Sequence, residues 1–174
     1  MTSTAVPTVA EERTPVDSQT FRDAMSRYGT SVHVVTTDGP GGRCGLTATA
    51  VASLSDRPPT VLVCINHGSR VNAAVKANGN LCINTLDGDG APLSDAFAGR
   101  GGLCDDDRFR LADWTTLQTG APVLRAARVA VDARVDRIIE SDTHSVIFAR
   151  VVDVAFGDAE ATALLHLDRR YRSL

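Results

Sequence analysis

Between residues 30 and 66 three strand-like runs follow one another: TSVHVVTT, GLTATAVASLS and TVLVCIN. Only DGPGGRC and DRPP lie between them. β-Branched residues suit a pleated, half-buried surface, and Gly, Pro and Asp mark places where a chain reverses. Connections this short hold no crossover helix, so successive strands must run antiparallel. The pattern continues with NLCINTL, then ARVAVDARVDRIIES, a DTHS turn, and SVIFARVVDVAFG running back. In the first of that last pair Val129, Val131, Ala133 and Val135 alternate with Arg128, Asp132, Arg134 and Asp136, which predicts one packed face and one polar face.

Helices are few and short. DSQTFRDAMSRYG places Phe21, Ala24, Met25 and Tyr28 on one stripe, with Asp17 or Ser18 to cap it. GSRVNAAVKANGN can be capped by Ser69 and ended by Gly79, and APLSDAFAG makes a helical turn or two. Strands do not alternate with long helices, so a doubly wound parallel sheet is excluded. The expected fold is mainly β with short α-helices: an antiparallel barrel of about six or seven strands with helices packed outside. Residues 99–121, polar and rich in Gly and Asp, read as a long excursion over the surface, anchored by Phe109, Leu111, Trp114 and Leu117. Residues 17–174 form one domain, and 1–16 read as a polar, disordered lead.

The bulk numbers remove several functions. A formal net charge of -3, with Arg spread along the chain, argues against nucleic-acid binding. The four Cys form no C-x-x-C pair and no His stands at zinc-site spacing, so no metal site is expected. They read as free thiols of a reducing cytoplasm. There is no apolar run of roughly 18 residues, no secretory leader, no G-x-G-x-x-G and no P-loop. A cytoplasmic protein without membrane contact is expected.

Four segments carry candidate chemistry. Thr47, Thr49, Ser53 and Ser55 share odd positions while Ala48, Ala50, Ala52 and Leu54 share even ones. Taken as one strand, that hydroxyl face is either a wetted outer surface or a polar rim for a flat heteroaromatic ring. NHGSR (66–70) is either an ordinary helix start or an anion site built from backbone amides, Ser69 and Arg70. His144 is either an exposed turn residue or an imidazole at a cleft mouth, with Asp142 two residues before it. RRYRSL is either a frayed tail or a flap whose Arg169, Arg170 or Arg172 meets phosphates while Tyr171 stacks.

In order along the chain, YGTSVHVVTT, GLTATAVASLS, PPTVLVCINHGSR, CINTLDGDGAPLSDAFAG, DTHSVIFARVVDV and RRYRSL together resemble the flavin reductase-like family, which has the FMN-binding split-barrel fold. The resemblance spans about residues 18–174. It implies an NAD(P)H:flavin oxidoreductase that passes hydride from nicotinamide to FMN or FAD and supplies reduced flavin to a partner flavin-dependent monooxygenase. NADH is favoured over NADPH because few Lys residues stand ready for a 2′-phosphate. A homodimer with flavin at its interface is implied as well. By position, the flavin-binding residues would be Ser31, Thr47, Ala48, Thr49, Ser53, Leu54, Ser55, Asn66, Ser69, Arg70, Phe97 and Gly99. His144 would orient the nicotinamide, as the catalytic position, and Arg169 and Tyr171 would meet the pyridine nucleotide. Two positions depart from the family's usual pattern: Ser31 stands where Gly is common, and Thr49 where Asn is common. The competing readings are a split-barrel flavin carrier without turnover and a split-barrel oxidoreductase of the pyridoxamine phosphate oxidase or deazaflavin kind.

Overall fold

Asp17 starts the first element by accepting hydrogen bonds from the Gln19 and Thr20 amides, and helix α1 runs Ser18–Ser26. The computed structural model describes residues 15–174. The proposed lead therefore lies, but for its last two residues, outside the described residues. The elements that follow are β1 (Thr30–Ser31), β2 (His33–Thr37), β3 (Cys44–Ala48), β4 (Val51–Asp56), β5 (Pro59–Asn66), α2 (Arg70–Asn78) and β6 (Asn80–Thr85). Then come α3 (Ala91–Phe97), α4 (Asp105–Phe109), β7 (Trp114–Thr116), β8 (Pro122–Leu124), β9 (Val129–Glu140), β10 (His144–Phe156), β11 (Leu164–Leu167) and β12 (Arg170–Ser173).

Seven strands make the main sheet in the order β3-β2-β6-β9-β10-β5-β4, and every pairing is antiparallel. β3 and β4 are its two edges, yet only Thr49 and Ala50 separate them in the chain. Two residues bridge at most about 11 Å. The sheet therefore curls until its edges face each other, leaving a slot that the chain crosses at Thr49–Ala50. This is the split of a split barrel. It also corrects the reading of GLTATAVASLS as one strand: the segment is two strands at opposite edges. The regular alternation of hydroxyls is lost with it, and a register shift between Ser53 and Ser55 breaks it a second time.

Both faces of β2 are covered, which is why its residues from Val34 to Thr37 are all buried. Val35 packs with Val63, Ile65, Val75, Leu81 and Ile147 inside the barrel under α2. Val34, one residue away, packs with Leu86, Phe97, Val123 and Leu164 on the other side. Ser69 caps α2 and Gly79 ends it in the left-handed conformation, φ 68°.

One further expectation needs correction. Asp132 is fully buried in β9, not on a polar outer face: it accepts hydrogen bonds from Thr119 N at 2.8 Å and from Thr119 Oγ1, which pins the 117–121 loop. The excursion at 99–121 contains α4 and β7 and is anchored by Phe109, which packs on Phe97 and Trp114, whereas Leu111, expected as an anchor, is 55% exposed. Of the two readings of the chain end, the frayed tail falls: the segment is the hairpin β11–β12, paired through β11 to β1.

Candidate functional site

Two recesses flank the slot. The first, about 490 Å³, lies between β3, the start of α2, the end of α3 and α4. Its apolar wall is Leu46, Phe97 and Leu103, and its polar end is Ser69, Arg70, Asp105 and Arg108. Gly45 forms part of the wall because a side chain there would meet the Phe97 ring at 2.9 Å and the Val35 carbonyl at 3.0 Å. The second recess, about 470 Å³, lies between α1 and the slot and is lined by Phe21, Met25, Tyr28, Thr49, Ala50 and Arg169 among others. Volumes of this order suit organic ligands of cofactor size.

Of the expected flavin residues, Thr47, Ser69, Arg70, Phe97 and Gly99 line the first recess, and Ala48 lies buried at the end of β3 beside it. Thr47 Oγ1 donates to the Ser94 carbonyl at 2.6 Å, fastening β3 to α3. Asn66 works on the backbone: its side-chain oxygen accepts from Gly68 N at 2.7 Å and its carbonyl accepts from Ser69 N at 3.0 Å, which shapes the entry to α2. Thr49 lies in the second recess with Arg169. Ser53, Leu54 and Ser55 sit on the exposed edge strand β4 and Ser31 on β1, outside both recesses. Tyr171 reaches α3, where its hydroxyl lies 2.8 Å from Ser94 Oγ and donates to the Asp95 carboxylate at 2.9 Å. Desolvation and the Asp95 carboxylate raise its pKa above the ordinary phenol value, while the Ser94 contact opposes them.

His144 opens β10 directly opposite Asn66, with its Nδ1 2.8 Å from Thr143 Oγ1. A polar network sets this turn against α2. Glu140 meets Lys76 Nζ at 2.8 Å and His67 Nε2 at 2.9 Å, and accepts from Ser145 Oγ at 2.7 Å. Asn72 donates in turn to Ser145 Oγ and to the Ile65 carbonyl, both at 2.9 Å. The Lys76 and Ser145 hydrogen bonds, with His67 adding to them, hold the Glu140 carboxyl down at about 2 against an ordinary value of 4.5. A carboxyl whose pKa is lower in the folded state adds stability above its unfolded pKa and loses it as pH falls. Glu140→Gln should therefore lower the thermal midpoint at neutral pH, and the gap from the parent should close between pH 4.5 and about 2. Melting curves across that range check this, and a gap independent of pH would refute it.

Sequence reasoning missed Asp105 and Arg108, because a run of three Asp and an Arg in a polar excursion looks like a solvated surface. The signal was their spacing of three on one helical turn. Asp105 pairs with both Arg70 and Arg108. Arg108 Nε is buried and has no hydrogen-bond partner among the described residues. It also missed the second recess, although the α1 stripe was read correctly: Phe21, Met25 and Tyr28 are 55%, 40% and 65% exposed, so the stripe finds no core to enter.

An antiparallel split barrel with a recess beside its slot, walled by Leu46 and Phe97 and ended by Ser69, Arg70 and Arg108, suits an organic ligand that carries an anionic group. The family model described as "Flavin reductase like domain" matches residues 25–174, and the chain belongs to that family. It is similar to the FMN reductase (NADH) RutF 1 of Methylorubrum extorquens, 47% identical over 160 residues, covering 92% of this chain and 78% of that one. It is also similar to the FMN reductase (NADH) RutF of Serratia proteamaculans, 43% identical over 159 residues, covering 91% and 89%. Among solved structures, BorF, the flavin reductase component of a bacterial two-component tryptophan halogenase, superposes with a TM-score of 0.84 at 26% identity, covering 91% and 98%. The flavin reductase PheA2 in its native state superposes with a TM-score of 0.82 at 28% identity, covering 91% and 99%.

Proposed function

We infer that this chain is an NADH-dependent flavin reductase: NADH and oxidised flavin, with one proton from solvent, give NAD⁺ and reduced flavin. The observation that carries it is the first recess. An apolar wall at Leu46 and Phe97 ends in Ser69, Arg70 and Arg108, with Asp105 between the two arginines, an arrangement that suits an aromatic ring with a phosphate at the end of its side chain. The orphaned Arg108 Nε fits such a group, since it calls for an acceptor. Relatives named FMN reductase (NADH) favour FMN and NADH, with FAD a second acceptor.

Bound flavin supplies the two-electron acceptor and nicotinamide the hydride. The protein's own work is therefore alignment and electrostatics, with no nucleophile to provide. Thr47, Ala48, Phe97 and Gly99 shape the ring's bed, while Asn66, Ser69 and Arg70 set its phosphate end. Thr49, on the slot between the recesses, and Arg169 face the side from which the pyridine nucleotide enters, and His144 orients the nicotinamide. Tyr171 supports that side by bracing α3.

Ser31, Ser53, Leu54 and Ser55 stand on surfaces that a second copy would cover. A homodimer is supported by the exposed α1 stripe and by Leu54, Ile139 and Phe156, which are 51%, 47% and 85% exposed. Among the described residues no helix is long and apolar enough to cross a membrane. The enzyme is taken to be cytoplasmic and to pass its reduced flavin to a partner flavin-dependent monooxygenase, a two-component arrangement of the kind that BorF forms with its own halogenase.

The test is NADH oxidation in air with FMN or FAD added. Saturable, flavin-dependent NADH loss is expected, and its absence with both flavins would remove the function. In the same assay His144→Ala should lower kcat/KM for NADH by about tenfold while leaving the flavin Kd unchanged. An unchanged kcat/KM would take the nicotinamide role from His144.

A further inference from the structure

The polar end of the first recess carries its own anion. Arg70, at the start of α2, and Arg108, on α4, come from elements far apart in sequence, and their guanidinium groups converge on the Asp105 carboxylate. One carboxylate oxygen takes Arg70 and the other takes Arg108, at 3.3 Å. The side chains of Asp105 and Arg108 are only 18% and 19% exposed, whereas that of Arg70 is 70% exposed. Two cations sharing one carboxylate leave the cluster net positive, and Arg108 Nε remains unsatisfied. A carboxylate bridging two guanidinium groups has the shape and charge sense of a phosphate edge held by the same pair. Phe109 holds α4 in place by packing edge-on to Phe97 and Trp114, with centroids 5.2 and 4.9 Å away, so the carboxylate is presented by an anchored element.

We propose that Asp105 is a built-in competitor for the flavin phosphate, occupying Arg70 and Arg108 until the phosphate displaces it and thereby weakening retention of phosphorylated flavin. The proposal rests on reading the first recess as the flavin site. It gives a reductase that must release its product a specific means of doing so. Without Asp105 the two guanidinium groups would clamp a phosphate; with it, part of that attraction is spent on replacing a contact already made.

The test compares the parent with Asp105→Asn, using FMN and riboflavin as probes and the KM for NADH as a third readout. Asn keeps the size of the side chain and removes its charge. FMN should bind roughly tenfold tighter and dissociate more slowly, while riboflavin, which has no phosphate, binds as before. FMN binding that is unchanged or weaker overturns the proposal, as does equal tightening for riboflavin. A lower KM for NADH with FMN affinity unchanged also overturns it, by giving the arginines to the pyridine nucleotide. Should Asp105→Asn not fold, the parent decides alone. Competition keeps its preference for FMN over riboflavin below about a hundredfold, because two unobstructed guanidinium contacts to a phosphate would exceed that. A larger preference overturns the proposal. If neither flavin binds the parent, the reading of the recess fails and the competitor with it. FMN bound equally by parent and variant removes the competitor only.

Discussion

Phe97→Ala is expected to cost about 3–5 kcal/mol of folding stability and to abolish measurable flavin binding at the first recess. Phe97 is 2% exposed at the end of α3, and its ring meets Phe109 at 5.2 Å and Trp114 at 5.7 Å. The three rings tie together α3, α4 and β7, which otherwise share little backbone hydrogen bonding with the barrel. Truncation would leave a void between them that backbone cannot fill, because Gly45 lies against the same ring and offers no side chain to collapse inward. α4 would lose its seat, and with it Arg108 and Asp105 would lose their position opposite Arg70. Denaturant unfolding and flavin titration read the two effects separately. A variant as stable as the parent that still bound flavin would show that the aromatic cluster is not the floor of the site.

The second large effect is expected at Asn84, a buried polar residue near the end of β6. It is fully buried, yet its hydrogen bonds are made. Its amide donates to the Val34 carbonyl at 3.0 Å and to Thr36 Oγ1 at 3.1 Å, and its oxygen accepts from Leu124 N at 2.7 Å. The side chain thus stitches β8, outside the main sheet, to β2 and β6 within it. Asn84→Leu is nearly isosteric but leaves the Leu124 amide and a Thr36 contact without partners in a dry interior. Each orphaned group costs about 1–3 kcal/mol, so a loss of roughly 2–5 kcal/mol is expected. Urea titration measures it, and a neutral or stabilising outcome would mean that water or a shifted backbone replaces the lost partners.

What the sequence exposed and what it hid divide along physical lines. Strands, caps and turns were legible because their signals are local: Asp17 and Ser69 at helix starts, Gly79 past a helix end, β-branched runs between Gly and Pro. The split was not legible. TATAVAS has the alternation of one strand, and only the pairing of Val51 with Val63 and of Thr47 with Val34 shows that it serves both edges of a curled sheet. Asp132 was placed outside for the same reason: alternation assigns faces, but only Thr119, from a distant loop, makes a buried carboxylate tolerable. At the site, Ser69 and Arg70 could be found from NHGSR, whereas Asp105 and Arg108 gain meaning only when α4 brings them against Arg70 at the start of α2. Sequence reads a residue's neighbours along the chain, and a phosphate-sized cluster of opposite charges is made by neighbours across it.

Hydride transfer from NADH to flavin held by this chain is tested by one anaerobic single-turnover experiment. The protein loaded with FMN is mixed with NADH, and the oxidised flavin absorbance is followed in time. Bleaching is expected at a rate that saturates with NADH and slows when the transferred hydrogen at nicotinamide C4 is deuterium. Bleaching no faster than for free FMN with NADH, or none at all, would contradict it.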